Sequence, residues 1–307
     1  MQKVLQTIDQ GINNLAYYWS FPEIMAHKKG FYKEEGIELV FHDITPSEVV
    51  SNKSEMYKDL QKEGKQDIYH AAEYVCLTRA IGNTTGKIVA ISSWVKEGLN
   101  ASFGLYVKPK AIKKPEELKD KAIAIEKGTG SYYTTIEDLE KFIPRDHIKL
   151  QQIGDPHLRL EALVKGEVAA ASVMGPYADL AEHMGMVKII ESTRRKGTLM
   201  IARNDINAPT LSAYLKATNK AIREINVKPD EYRKFYFERF SKIISRLAPE
   251  LQKPAKQLKL TMKVPKWKEW SAYSKKDFED IYSWMIDRKL IEAGHRYEEL
   301  VDLRAFR

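Results

Sequence analysis

Short apolar runs of strand type alternate with segments of helical period over the first two thirds of the chain. Residues 168–174 are nearly all apolar, which is typical of a strand buried on both faces. Leu160, Leu163 and Val164, just before them, recur at the spacing of one helix face. This alternation predicts an α/β fold with mostly parallel sheets and helices on both faces.

The pattern changes after Pro209, where apolar positions follow the 3.6-residue period of a helix over four turns. These positions are Leu211, Tyr214, Leu215, Thr218, Ala221, Ile222 and Ile225. Further helices are predicted at residues 229–244, 266–273 and 275–289. We therefore expect a C-terminal region that is almost entirely helical.

Composition and charge narrow the class of protein. The 307 residues are enough for two domains. The sequence has no run of eighteen apolar residues, so we predict no membrane span. The net charge of +8 is scattered among acids, which favours a basic surface over a nucleic-acid site. The single cysteine, Cys76, excludes an internal disulfide and is typical of a packed thiol. The first residues lack the apolar core of a signal peptide, so we expect a cytoplasmic protein unless a leader has been removed.

A strand, a turn of small residues and a helix start follow one another at residues 122–135. At such a helix start, backbone N–H groups point outward and the helix dipole favours an anion. A plain structural turn has the same pattern. The turn predicts a ligand cradle of Gly128, Thr129, Gly130, Ser131 and Tyr132.

Other polar residues stand where predicted strands end. Asp9, Gln10 and Asn13 follow the strand predicted at residues 4–8, and they either reach a cleft or cap a polar turn. His70 ends a short strand and Glu73 begins the next helix, so the two can contact a ligand, form a structural pair or act as acid and base. No further His, Cys or acid stands at ligand spacing, and we predict no metal site.

Several aromatic and polar residues have either a cleft-lining or a packing interpretation. Arg159 can pair with an anion in a bidentate manner, although a solvated helix face is the alternative. The candidates that either line the ligand cleft or pack in the core or in a strand are Trp19, Trp94, Ser102 and Phe103.

Five motifs resemble one known family. Residues 16–39 contain Ala26-His-Lys-Lys-Gly-Phe31 and Glu35-Gly36, and are similar to the start of type II periplasmic solute-binding proteins of ABC importers. Within that family, the sequence resembles the branch that binds sulfonates, nitrate, taurine and thiamine-pyrimidine precursors. Blocks at residues 62–68, 113–130, 161–178 and 283–291 resemble later motifs of the family in the same order.

The resemblance implies a type II periplasmic-binding-protein fold. In it, two Rossmann-like α/β lobes are joined by two crossover strands, here expected near residues 101–107 and 199–203. Lobe I would comprise residues 1–102 and 203–307, and lobe II residues 103–202. Residues near 107 and 200 would lie side by side in the hinge. The ligand would sit in the cleft, with contacts at His70, Met174 and Tyr177.

The implied function is capture of a small anionic or polar molecule, such as a sulfonate, nitrate or pyrimidine, for ABC-type uptake. We expect a monomer that works with an ABC permease, needs no cofactor, and lies outside the cytoplasm if a leader was removed. One alternative is a cytosolic enzyme on the same fold, decarboxylase-like or acting in thiamine-pyrimidine or menaquinone synthesis, with His70 and Glu73 as acid and base. Another is a ligand-sensing module without a transporter.

Overall fold

The described residues form two five-stranded sheets and one three-stranded sheet. The computed structural model describes residues 6–45, 53–96, 99–101, 103–192, 197–258 and 262–307. The strands are β1 (Gln6–Ile12), β2 (Ile37–Asp43), β3 (Ile68–Ala72), β4 (Gly86–Ser92), β5 (Trp94–Lys96), β6 (Leu99–Ala101), β7 (Gly104–Val107), β8 (Ala122–Ile125), β9 (Lys149–Gln152), β10 (Ala170–Val173), β11 (Val187–Glu191), β12 (Thr198–Arg203) and β13 (Lys266–Trp267).

Helices cover the sheets and fill most of the C-terminal third of the chain. They are α1 (Phe21–Lys28), α2 (Phe31–Glu34), α3 (Lys53–Lys62), α4 (Glu73–Ala80), α5 (Gly130–Leu139), α6 (Pro156–Lys165), α7 (Pro176–His183), α8 (Ala208–Val227), α9 (Pro229–Ser241), α10 (Pro249–Leu258), α11 (Lys275–Asp287) and α12 (Tyr297–Leu300). A 3-10 helix, Asn14–Trp19, follows β1. None of the described helices combines the length and apolar character that crossing a bilayer requires.

Each five-stranded sheet has one strand that runs against the other four. The first sheet has the order β2-β1-β3-β12-β4, with β12 antiparallel to both neighbours. The second has the order β11-β7-β10-β8-β9, with β7 antiparallel to both neighbours. The α/β fold is as predicted, but the expectation of mostly parallel sheets is only partly met. Four strands of each five-stranded sheet point the same way, whereas the pairings of β12 and of β7 are antiparallel and make both sheets mixed. We call the first sheet with its helices lobe I and the second lobe II.

The chain passes between the lobes twice, from β4 through β5 and β6 to β7, and back from β11 to β12. The prediction that residues 107 and 200 lie side by side is wrong. Val107 pairs with Ala170 in lobe II, whereas Met200 pairs with His70 in lobe I. Both strands are hydrogen-bonded on two edges within their own sheets, so neither edge is left for the other strand.

Two local predictions are also wrong. The polar turn expected after residue 8 is strand, because β1 stays paired with β2 up to Ile12. The helix expected at residues 266–273 is absent. Val264, Trp267, Trp270 and Tyr273 are buried at intervals of three, which imitates a helix, but the backbone there is extended.

Asparagine side chains of α8 hold that extended segment in place. The N–H of Trp267 donates to Asn226 Oδ1 at 3.0 Å, and the N–H of Trp270 donates to Asn219 Oδ1 at 2.7 Å. The amides therefore supply the acceptors that a helical turn would have supplied. The C-terminal region is mainly helical, but not throughout.

Helix α5 of lobe II is tied to α4 and α11 of lobe I. The Glu140 carboxylate, just after α5, accepts from Trp284 Nε1 at 3.0 Å and from Arg288 Nε and Nη2 at 2.8 and 2.6 Å. Tyr74 of α4 donates its hydroxyl to Glu137 at 2.6 Å. We call Tyr74, Glu137, Glu140, Trp284 and Arg288 the α5 clamp.

An aromatic core joins the lobes elsewhere. Tyr17 and Tyr18 of the 3-10 helix, Tyr177 of α7 and Tyr236 of α9 are all buried in one continuous apolar cluster. The Tyr177 hydroxyl donates to the Leu15 carbonyl at 3.1 Å. Apolar burial and hydrogen bonding both hold the lobes together in this conformation.

Candidate functional site

A cleft of about 830 Å³, open to solvent, lies between the two lobes. Its walls are built where parallel strands end: β1 and β3 on the lobe I side, β8 and β10 on the lobe II side. Open α/β sheets commonly bind ligands at the carboxyl ends of their strands. The lining residues are Gln10, Gly11, Asn13, Ala16, Tyr18, Trp19, Ser20, Tyr57, Tyr69, His70, Ala71, Ala72, Val75, Arg79, Phe103, Glu126, Thr129, Gly130, Asp155, Pro156, Arg159 and Met174.

Buried polar groups line the lobe I wall. The Gln10 Oε1 accepts from the Tyr214 hydroxyl at 2.8 Å, while Gln10 Nε2 has no partner among the described residues. The Tyr69 hydroxyl is likewise without a described partner. Burial raises the Tyr69 pKa well above its usual value, so the hydroxyl keeps its proton and remains a donor.

Arg79 reaches the same wall from the last turn of α4. Its guanidinium lies 4.1 Å from the ring centroid of Tyr57 and 5.6 Å from that of Tyr69. Its Nε contacts Ser54 Oγ at 3.5 Å, and Nη1 has no hydrogen-bond partner in the described part of the chain. Aromatic rings therefore fix the orientation of this cation while one N–H group stays available.

His70 lies beside Glu23, without a hydrogen bond between them, and the pair with Glu73, which was one of the alternatives from the sequence, is not formed. His70 Nε2 lies 3.5 Å from Glu23 Oε1, and both side chains are almost fully buried. Glu73 is buried behind the wall, where its Oε2 accepts from the Gly197 N–H at 3.3 Å, and it does not line the cleft. Burial raises the pKa of Glu73 to about 8. The acid/base pair of the enzyme hypothesis is therefore not formed.

On the lobe II wall, the predicted cradle is stabilised by its own side chains. The Ser131 hydroxyl accepts from the Glu126 N–H at 3.0 Å and from Arg159 Nη1. The Thr129 hydroxyl donates to the Glu126 carbonyl at 2.8 Å. Ser131 is fully buried and does not line the cleft. Its hydroxyl is thus committed to the protein, contrary to our expectation that it faces a ligand.

Arg159 is a cleft residue and not part of a solvated helix face. It is 1% exposed, and its Nε has no partner among the described residues. Burial lowers the pKa of its guanidinium from the usual value, and the charges of Glu126 and Asp155 oppose that shift. The positive charge of Arg159 is therefore balanced by two acids of the same wall.

Close packing at Gly130 sets how near the lobes approach. A Cβ built there would lie 2.5 Å from Phe103 Cε2 and 2.8 Å from the Cβ of Ala72 in lobe I. Only glycine fits between these neighbours without a shift. The glycine thus serves the contact between the lobes as well as the cleft wall.

The structure brings eight of the predicted site residues into the cleft and leaves others outside. Those that line it are Gln10, Asn13, Trp19, His70, Phe103, Thr129, Gly130 and Met174. Asp9, Glu73, Gly128, Ser131, Tyr132 and Tyr177 are described but do not line it. Ser102 and the side chain of Trp94 lie outside the described part of the chain.

Physical reasons explain most of these exclusions. Asp9 points to the β2 side, where it pairs with His42. Gly128 has φ +69 and forms the left-handed turn of the loop. Tyr132 packs edge-on against Tyr133, and the Tyr177 hydroxyl is used by Leu15.

Sequence reasoning missed Arg79, Tyr69, Glu126 and Asp155. Val75 and Arg79 are four residues apart on α4, so they share one helix face, and both line the cleft. The sequence signal that could have identified Arg79 is its position on the helix that directly follows the strand of His70. Among the described residues, no group of three His, Cys, Asp or Glu side chains could hold a metal ion.

Comparison with solved structures shows the fold. The alkanesulfonate-binding protein SsuA of Xanthomonas axonopodis pv. citri, bound to MOPS, matches with a TM-score of 0.73 at 12% identity, over 97% of this chain and 99% of that one. The periplasmic aliphatic sulphonate binding protein SsuA of Escherichia coli matches with a TM-score of 0.67 at 13% identity, over 98% of this chain and 92% of that one. The ligand-binding component of an ABC-type import system of Staphylococcus aureus, with zinc bound, matches with 0.68 at 15% identity, over 98% of each chain.

These likenesses confirm the predicted two-lobed periplasmic-binding-protein fold. Comparison with curated protein sequences gave no match. The family model described as NMT1/THI5 like matches residues 20–236, which is more than half of the chain. Together with the five motifs seen in the sequence, this match shows that the chain belongs to the NMT1/THI5-like family.

Proposed function

We propose that the protein is a solute-binding protein that captures a small molecule with an anionic or strongly polar head in the interlobe cleft. One observation carries this proposal: residues of both lobes that line one cleft carry buried side-chain donors without protein partners among the described residues. They are Gln10 Nε2, Tyr69 Oη, Arg79 Nη1 and Arg159 Nε. A buried donor without an acceptor costs free energy, so the site gains by taking up a guest that supplies acceptors.

The rest of the proposal follows the relatives of the fold. The S. aureus protein is named as the ligand-binding component of an ABC-type import system, and the E. coli protein as periplasmic. By analogy, we propose that this chain delivers its ligand to an ABC permease outside the cytoplasm. We place the second lobe boundary earlier than residue 203, where we expected it from the sequence, because β12 belongs to the lobe I sheet. Lobe I would then comprise residues 1–102 and 198–307, lobe II residues 103–192, and closing of the lobes would trap the ligand.

A thermal-shift screen tests the proposal. The panel contains sulfonates, carboxylates, nitrate and aminopyrimidines, each with the purified protein. A true ligand at a hundred times its Kd adds about 2.7 kcal/mol, which raises the Tm of a chain of this length by roughly 4 °C. Mass spectrometry should then recover that ligand unchanged. A panel with no stabilising compound, or a product that disappears in His70→Ala, would overturn the proposal.

A further inference from the structure

Arg79 is a buried cation without a counter-charge in the described part of the chain. It is 3% exposed, and no described carboxylate forms an ion pair with it. Buried charges are normally paired, because removing a charge from water is costly unless a partner compensates it. The neighbours that the structure gives Arg79 are two tyrosine rings and one serine hydroxyl.

The two arginines of the cleft differ in this respect. Arg159 faces Glu126 and Asp155, so its charge is compensated inside lobe II. Arg79 has aromatic neighbours that stabilise its position but carry no negative charge. Since both line the same cleft, the uncompensated positive charge of the site lies on the lobe I wall.

The donors around Arg79 fit an oxygen-rich anion. Arg79 Nη1 and the Tyr69 hydroxyl are both without described partners, and both residues line the cleft. The Tyr57 ring lies beneath the guanidinium at 4.1 Å and blocks that face of it. An arriving group must therefore approach the guanidinium edge, which is the geometry in which guanidinium binds carboxylate, sulfonate or phosphate oxygens.

We propose that Arg79 is the anion-selecting residue of the cleft, binding the oxyanion head of the ligand on the lobe I wall beside Tyr69. This inference rests on the proposed function, and it places the head away from the turn at Gly128–Ser131, where we first expected it. The rest of the ligand would extend toward the lobe II wall, formed by Thr129, Gly130 and Met174.

The first arm of the test needs no organic ligand. Sulfate and nitrate are titrated at constant ionic strength, held with a salt that does not stabilise the wild-type protein. We expect a saturable rise in Tm for the wild type that is lost in Arg79→Gln and Arg79→Met and kept in the surface control Arg223→Gln, whose side chain is 54% exposed. A wild type without saturable stabilisation, or Arg79 variants that retain it, would overturn the inference.

The second arm compares the two arginines in the empty protein. Arg79→Met should leave the Tm unchanged or raise it, because it removes an uncompensated buried charge and keeps an apolar stem under Tyr57. Arg159→Met should lower the Tm, because Glu126 and Asp155 then lose their cation. An equal loss in both variants would show that the chain itself compensates Arg79, and the inference would fail.

The third arm uses matched ligand pairs in calorimetry: ethanesulfonate with ethanesulfonamide, and propionate with propionamide. We expect the anion of at least one pair to bind about 10- to 100-fold more tightly than its amide, with the preference lost in Arg79→Gln. Arg79→Lys should retain part of it.

The two proposals fail in different ways. A neutral heterocycle that binds equally well to wild type and Arg79→Gln would overturn the inference while the solute-binding function stands. Saturable anion binding at Arg79, with every organic solute inactive in the screen, would support the inference and remove the proposed uptake role.

Discussion

Replacing Glu140 by glutamine tests the α5 clamp, which connects the lobes at one side of the cleft. The Glu140 carboxylate accepts two hydrogen bonds from Arg288 and one from Trp284. Its side chain is 18% exposed, and that of Arg288 is 26% exposed. Glutamine keeps the shape of the side chain and an acceptor oxygen but removes the charge. The substitution therefore weakens the bidentate pair without opening a cavity.

The expected loss follows from this geometry. Hydrogen bonds to charged groups contribute about 1.5–3 kcal/mol, and partial solvent exposure reduces the figure, so we expect about 1–2 kcal/mol. For a chain of this length, that loss lowers the Tm by about 2–3 °C. If the clamp stabilises the closed conformation, ligand affinity should fall as well, by at most about 5- to 30-fold.

Calorimetry of Glu140→Gln, Arg288→Met and the double variant gives the coupling energy directly. The control is Glu161→Gln, whose partner Lys165 lies on the same helix of lobe II and is 45% exposed. Such surface pairs contribute little, so the control should lose less than about 0.5 kcal/mol. A loss in Glu140→Gln no larger than in this control, with no coupling to Arg288, would refute the clamp.

Three further substitutions probe the site and its surroundings. Gly130→Val should lower the Tm by several degrees and abolish ligand binding, because its side chain collides with Phe103; wild-type affinity in calorimetry would contradict the placement of this wall. Ser131→Ala should lower the Tm of the empty protein as well as weaken binding, since the hydroxyl holds Arg159; an unchanged Tm would show that this bond contributes nothing. Glu73 has a pKa raised to about 8, so the stability that it contributes is complete below pH 4.5 and is lost as the pH rises to 8. Glu73→Gln should flatten the dependence of Tm on pH between pH 4.5 and 8. A curve of Tm against pH that runs parallel to that of the wild type would disprove the raised pKa of Glu73.

The alternation of strands and helices could be predicted from the sequence because apolar residues are spaced differently in buried strands and in amphipathic helices. Residues 168–174 illustrate this: β10 is fully buried and lies inside its sheet, as the apolar run predicts. The structure of the segment after Met262 could not be predicted, because its buried residues recur every three positions, as they do on one face of a helix. What makes it extended is a set of contacts from α8, more than forty positions earlier in the sequence.

The site was less predictable than the fold. The positions at strand ends, such as Gln10 and His70, were found because topology brings strand ends together. Arg79 was missed, and Arg159 had a solvated helix face as its alternative interpretation. The reason is that a sequence does not show whether a cation on a helix is buried. The acid beside His70 is Glu23, which lies 47 positions away and was never a local candidate.

The position of β12 in the first sheet has a consequence for folding during synthesis. The described strands of the lobe II sheet come from one continuous stretch, β7 to β11, whereas the lobe I sheet needs β12 between β3 and β4. As the chain leaves the ribosome, β3 and β4 emerge early but cannot be joined until β12 has followed the whole of lobe II. The lobe made second is therefore the first that can complete its sheet. Until then, β3 and β4 expose unpaired edges of the kind that promote aggregation.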